Sequence, residues 1–162
     1  MSTPTADDLA DRIGQLAQAA DIEVAVAESL TGGAISSRLA AAPDSSTWYA
    51  GGVVAYETHV KYEVLGVPDG HPVVTEEAAA AMAAGVADLM RADAAVAVTG
   101  AGGPEPQEGQ PPGTTWIAVC LRGEVTTELH HFSGEPADIV EKTELHALRS
   151  LHDRLPQKEE HT

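Results

Sequence analysis

Cysteine is almost absent from this chain. Cys120 stands alone, so no internal disulfide can form, and a reducing compartment suits it. Aromatic residues make up only 4%, so the core must be built from Ala, Val, Leu and Ile, as tightly packed helix-on-sheet layers allow. Basic residues are scarce: 9 Lys and Arg face 25 Asp and Glu, a formal net charge of −16. Such a surface repels phosphate backbones, which excludes nonspecific nucleic-acid binding and makes an anionic small molecule harder to hold. No long apolar run opens the chain: Met1–Leu9 carries Asp7 and Asp8, so it reads as neither a signal peptide nor a membrane span, and a cytoplasmic location is expected. Cys/His spacing of the metal-binding kind is missing, and the pair His130-His131 is too little to define a site. Neither a metal nor a cofactor is expected.

What is present fits one α/β domain over residues 1–155, followed by a polar tail at 156–162 that is expected to be mobile. Leu9, Ile13, Leu16 and Ala20 recur at helical spacing in Ala6–Ala20, with Thr5 as N-cap. Strands are predicted at Ile22–Ala27, Trp48–Tyr56, Ala92–Thr99, Thr114–Leu121 and Val125–Phe132, the last two as a hairpin around Arg122-Gly123-Glu124. Further helices are predicted at Ala34–Ala42, Thr58–Leu65, from Thr75 to about Arg91, and at Ala137–Leu155. Strands interleaved with helices, then a late hairpin, imply a three-layer domain: a mixed β-sheet with helices on both faces. Glu105–Gly113 reads as a flexible loop, and the Ala-rich stretch Ala78–Met90 is a candidate face for a homo-oligomer.

Three polar constellations sit at turns or strand ends, where α/β sheets gather ligands. In Glu28-Ser29-Leu30-Thr31-Gly32-Gly33 glycines allow close backbone approach before a helix; the pattern fits an anion site or a plain helix cap. Asp44-Ser45-Ser46 with Tyr56 and Lys61 offers a hydroxyl, a relay and an amine. A lysine can act as base when burial lowers its pKa, although Ser, Tyr and Lys are common surface residues. Thr99-Gly100-Ala101-Gly102-Gly103-Pro104 lacks a following helix and so is a poor dinucleotide fingerprint. It fits a backbone nest for an anion or oxyanion, or a simple turn.

Taken in order, these stretches resemble the C-terminal domain of the CinA family. The likeness also rests on Ser45-Ser46-Thr47-Trp48-Tyr49, Gly52-Val53-Val54-Ala55-Tyr56, Leu65-Gly66-Val67, Val74-Thr75-Glu76 and Pro112-Gly113-Thr114-Thr115-Trp116. It spans roughly residues 5–155. The resemblance implies a metal-independent nicotinamide-nucleotide amidohydrolase, which deamidates nicotinamide mononucleotide and releases ammonia through a serine–lysine acyl-enzyme with a nearby tyrosine. Carried over, Lys61 is the base, Tyr56 the tyrosine and Ser46 the expected nucleophile, with Ser29 its rival. Ser29, Thr31, Gly32, Gly33, Thr99, Gly100, Gly102 and Gly103 are the expected substrate-binding residues. The separate N-terminal domain of longer family members does not precede these motifs here, so its pyrophosphatase activity is expected to be absent.

The chain also departs from the family pattern. Gln110 and Pro111 stand where a lysine is usual, and Glu135–Val140 carries no base where arginines are usual. Leu30 replaces a frequent cysteine, without consequence. Weaker nucleotide binding, a different amide substrate or lost activity all follow from fewer positive charges. The expected partner is a small-molecule nucleotide, with no nucleic acid and no membrane. A binding module that holds a pyridine nucleotide without hydrolysing it is the alternative; a scaffold protein would not need so many Gly-containing turns.

Overall fold

A computed structural model describes residues 3–157. Among these, the chain forms helices α1 (Ala6–Ala20), α2 (Ala34–Ala40), α3 (Thr58–Leu65), α4 (Glu76–Met90) and α5 (Pro136–Arg154). It forms strands β1 (Val24–Glu28), β2 (Tyr49–Val54), β3 (Ala94–Gly100), β4 (Thr114–Leu121) and β5 (Glu124–His131). The strands make one mixed sheet in the order β2-β1-β3-β4-β5. β1 runs parallel to both β2 and β3, while β3–β4 and β4–β5 are antiparallel.

The pleat sorts side chains by size. Val24, Val26, Val96 and Val98 face a core shared with α1, α2 and α5. Ala25, Ala27, Ala95, Ala97 and Ala118 face the opposite way, toward α4. Small residues on the sheet meet small residues on the helix, so α4 lies close to the strands. The alanine face offered as a surface for self-association is therefore buried: Ala78, Ala79, Met82, Ala83, Val86 and Ala87 all pack inward. Gly85 serves a second close approach, since a Cβ there would stand 2.0 Å from the Leu65 carbonyl oxygen of α3. Cys120 is a buried free thiol in the α4-side core.

Two strands begin later than predicted for one reason. α1 ends with Asp21 in the left-handed region (φ 55°), and the Ile22 N–H returns to the Ala17 carbonyl at 2.8 Å. α4 ends the same way: Arg91 has φ 53°, and the Ala92 N–H bonds the Ala87 carbonyl at 2.8 Å. Ile22 and Ala92 thus close helices instead of opening strands. Within the predicted tail, Gln157 bonds back to the His152 and Leu155 carbonyls, while 158–162 lie outside the described residues. Among the described residues no helix is long and apolar enough to cross a membrane.

The topology sets the site. β1 lies between β2 and β3, and the chain crosses from β1 to β2 through α2 but from β2 to β3 through α3 and α4. Connections leave β1's carboxyl end for one side and return to its other side, which opens a crevice there.

Candidate active site

Three segments leave the carboxyl ends of β1, β2 and β3 and line one cleft of about 300 Å³. Ser29 and Leu30 come from β1, Tyr56 from β2, and Gly100, Gly102 and Gly103 from β3, with the loop Pro104–Gln107 as the outer wall.

Lys61 sits behind this cleft on α3 and is 1% exposed. Its Nζ donates to the Ala55 carbonyl at 2.7 Å and to the Tyr56 carbonyl at 3.3 Å. Burial pushes its pKa down to about 8, opposed by the negative charge of Glu108. Both N–H bonds of a neutral amine are matched by those two carbonyls, which leaves its lone pair to accept a proton. The Ala55 N–H in turn donates to the Glu28 carbonyl at 2.7 Å, and Ser29 is the next residue. One run of backbone bonds therefore ties the amine to the strand end that carries the Ser29 hydroxyl.

Ser46 is elsewhere. It lies in a single 3-10 turn, Ser45–Thr47, before β2 begins, whereas the Lys61 amine lies beyond the end of β2. Six strand residues separate them, on the order of 20 Å at the usual rise per residue. The expected pairing of Ser46 with Lys61 is corrected on this point, and Ser29 is the hydroxyl that shares the carboxyl edge of the sheet with Lys61. The Tyr56 carbonyl holds Lys61, and the residue lines the cleft and is 68% exposed.

The predicted substrate-binding residues also divide. Ser29, Gly100, Gly102 and Gly103 line the cleft, and among the described residues no acceptor takes the Gly102 or Gly103 N–H. Thr31 and Thr99 are buried with their hydroxyls engaged inside the protein. Thr31 donates to Glu28 at 2.6 Å, and Thr99 donates to the Val73 carbonyl at 2.6 Å. Gly32 and Gly33 lie outside the cleft lining and serve the turn, with φ of 58° and 110°.

Two carboxylates organise the site, and neither was predicted. Glu28 is fully buried and accepts the Ile35 and Ser36 N–H groups at 3.0 and 2.8 Å, capping α2. Glu108 accepts the Val73 and Val74 N–H groups, the shortest bond being 2.7 Å. It stands in a tight turn where Gln107 and Gln110 exchange backbone bonds of 3.1 and 2.8 Å. The loop read as flexible is thus tied both to itself and to the segment before α4. Glu28 reaches seven residues forward and Glu108 thirty-five back, too far for any local capping pattern to reveal.

Residues 6–155 match the CinA C-terminal domain. The chain belongs to the CinA C-terminal domain family. It is 33% identical over 156 residues to the Protein YdeJ of Escherichia coli, covering 93% of this chain and 91% of that one. It is 35% identical over 142 residues to a putative competence-damage inducible protein of Halalkalibacterium halodurans, spanning only 33% of that longer relative. In three dimensions it superimposes on the CinA superfamily protein of Enterobacter cloacae with a TM-score of 0.93 at 31% identity, covering 96% of this chain and 95% of that one. The competence/damage inducible protein CihA of Agrobacterium tumefaciens gives a TM-score of 0.86, also at 31% identity, covering 93% of this chain and 97% of that one. The α/β fold with one mixed sheet is the fold of these CinA structures.

Proposed function

We propose that this CinA domain is an amidohydrolase that deamidates nicotinamide mononucleotide or a closely related pyridinium carboxamide, with Ser29 as nucleophile and Lys61 as general base. The observation that carries this reading is a buried amine with a lowered pKa, held by two carbonyls at the same sheet edge as a serine that lines a cleft.

The neutral Lys61 amine takes the Ser29 hydroxyl proton as Oγ attacks the amide carbon. The Gly102 and Gly103 N–H groups are the candidate donors to the oxyanion, each worth about 3–4 kcal/mol in the barrier if removed. Lys61 then passes its proton to the amide nitrogen, the C–N bond breaks and ammonia leaves. Water attacks the resulting ester, gives a proton to Lys61, and the acid departs as Ser29 is restored. In this reading Tyr56, a residue of the cleft lining, supplies a ring to stack on the planar substrate ring.

The test is ammonia release from nicotinamide mononucleotide, with and without chelator, by the wild type and by Lys61→Met. Chelator-insensitive turnover that disappears in the variant supports the amidase. A specific observation favours a second reading, a binding module: among the described residues the Lys61 Nζ bonds two carbonyls and no serine hydroxyl. Saturable thermal stabilisation by the nucleotide, without ammonia from the wild type, supports that module and overturns the enzyme.

A further inference from the structure

The cleft and its rim carry charge of one sign. Its lining includes Glu105, and among the described residues it includes no Arg, Lys or His. Two bases elsewhere are engaged: Arg38 bonds Asp7 at 2.8 Å and Glu144 at 3.1 Å, and Lys142 donates to the Ser133 carbonyl. Lys61 itself is buried behind the wall with Glu108 facing it.

A phosphate can be held without cations when a helix presents its free N–H groups. Here the two helix starts beside the cleft are already occupied. α2 begins five residues after Ser29, and the Glu28 carboxylate takes its Ile35 and Ser36 N–H groups. α5 reaches the rim at Ile139, whose Cδ1 lies 3.9 Å from where a Gly103 Cβ would stand. Its first turn is closed by a reciprocal cap between Glu135 and Asp138, which places two further carboxylates there. An incoming phosphate would meet carboxylates at both helix starts and at Glu105, on a chain of net charge −16. A pyridinium ring, positive and planar, would meet the Glu105 carboxylate and the Tyr56 ring, and both favour it.

We infer that the cleft selects pyridinium carboxamides that lack a phosphate, nucleosides or N-alkyl derivatives, over the phosphorylated nucleotide, and that Glu105 sets this preference. The inference rests on the amidase reading for its chemistry, though not for its binding order. Glu105 is not among the residues assigned to proton transfer, and it is exposed on the loop, so its replacement leaves the core intact.

The experiment has a binding arm and a turnover arm. Dissociation constants of nicotinamide riboside and nicotinamide mononucleotide are measured by calorimetry on Ser29→Ala protein at low and at high salt. Specificity constants for both come from ammonia release by the wild type, Glu105→Gln and Glu105→Lys. The riboside is expected to bind at least about tenfold tighter than the mononucleotide at low salt. The gap should narrow with salt, shrink in Glu105→Gln and reverse in Glu105→Lys. Equal or tighter binding of the mononucleotide by Ser29→Ala overturns the charge selection. Ammonia from neither compound, with the binding order as expected, overturns the amidase and leaves the selection standing. Absence of both binding and turnover overturns both.

Discussion

The Lys61 amine lies 2.7 Å from the Ala55 carbonyl oxygen, while the N–H of that same Ala55 bonds the Glu28 carbonyl at 2.7 Å. A base on α3 is thereby registered against the end of β1 by backbone groups alone. Substituting side chains around it leaves this registration in place, so the pKa of the amine can be tuned separately from its position.

That separation gives a pH prediction. A general base must be neutral, so kcat/KM should rise with pH through a limb near the Lys61 pKa of about 8. Glu108 holds that pKa up by its negative charge. Glu108→Gln removes the charge and keeps an acceptor for the Val73 or Val74 N–H, so the limb should move to lower pH. A pH–rate profile of the two proteins checks the direction; a limb that stays in place or moves upward contradicts it.

Stability carries the opposite face of the same shift. Lys61 titrates at about 8 when folded and 10.5 in its ordinary state. Between those values the unfolded chain binds more protons, so stability rises with pH across the window. The penalty is fully present below about 8 and gone above 10.5. Lys61→Met lacks it, so its stability relative to wild type should decline as pH rises through that range. Urea unfolding of both proteins at several pH values measures this difference, and a flat difference contradicts it.

Glu28→Ala should destabilise the domain by at least about 2 kcal/mol, because it leaves buried donors at Thr31, Ile35 and Ser36 without an acceptor. Glu28→Gln keeps one acceptor oxygen and should lose less. Chemical denaturation orders the three proteins, and Glu28→Ala equal to wild type would contradict the assignment of this carboxylate as the α2 cap.

Gly85→Ala places a Cβ 2.0 Å from the Leu65 carbonyl oxygen. α3 and α4 must separate, at a cost of about 1–3 kcal/mol. Since α3 carries Lys61, activity should fall further than in Gly70→Ala, where a Cβ meets nothing within 4 Å and the cost is only the local one of an alanine at φ 80°. Denaturation midpoints and ammonia release together check this; equal activity in the two variants contradicts the link between helix spacing and the base.

The limits of legibility in the sequence follow from distance. α1 has the predicted bounds because amphipathic spacing and the Thr5 cap define it, and α3 because Gly66 in the left-handed region closes it. The glycine turns after β1 and β3 were legible as cleft material, since parallel strands gather ligands at their carboxyl ends. The same rule disfavours Ser46, which precedes a strand, against Ser29, which follows one. Glu28 and Glu108 were illegible because their partners are brought close by the fold and by nothing in the neighbouring sequence. The hydroxyls of Thr31 and Thr99 show the same limit from the other side: a polar residue in a motif does not announce whether it faces a ligand or a buried carbonyl.

The choice of nucleophile is open to direct measurement. Ser29→Ala and Ser46→Ala are each assayed for ammonia release at the pH optimum of the wild type, on protein shown to be folded by its unfolding transition. Ser29→Ala is expected to lose about a thousandfold or more of the turnover, and Ser46→Ala, on the exposed turn before β2, to keep nearly all of it. Turnover retained in Ser29→Ala and lost in Ser46→Ala is the contrary result, and it would remove the serine–lysine pair on which the proposed chemistry depends.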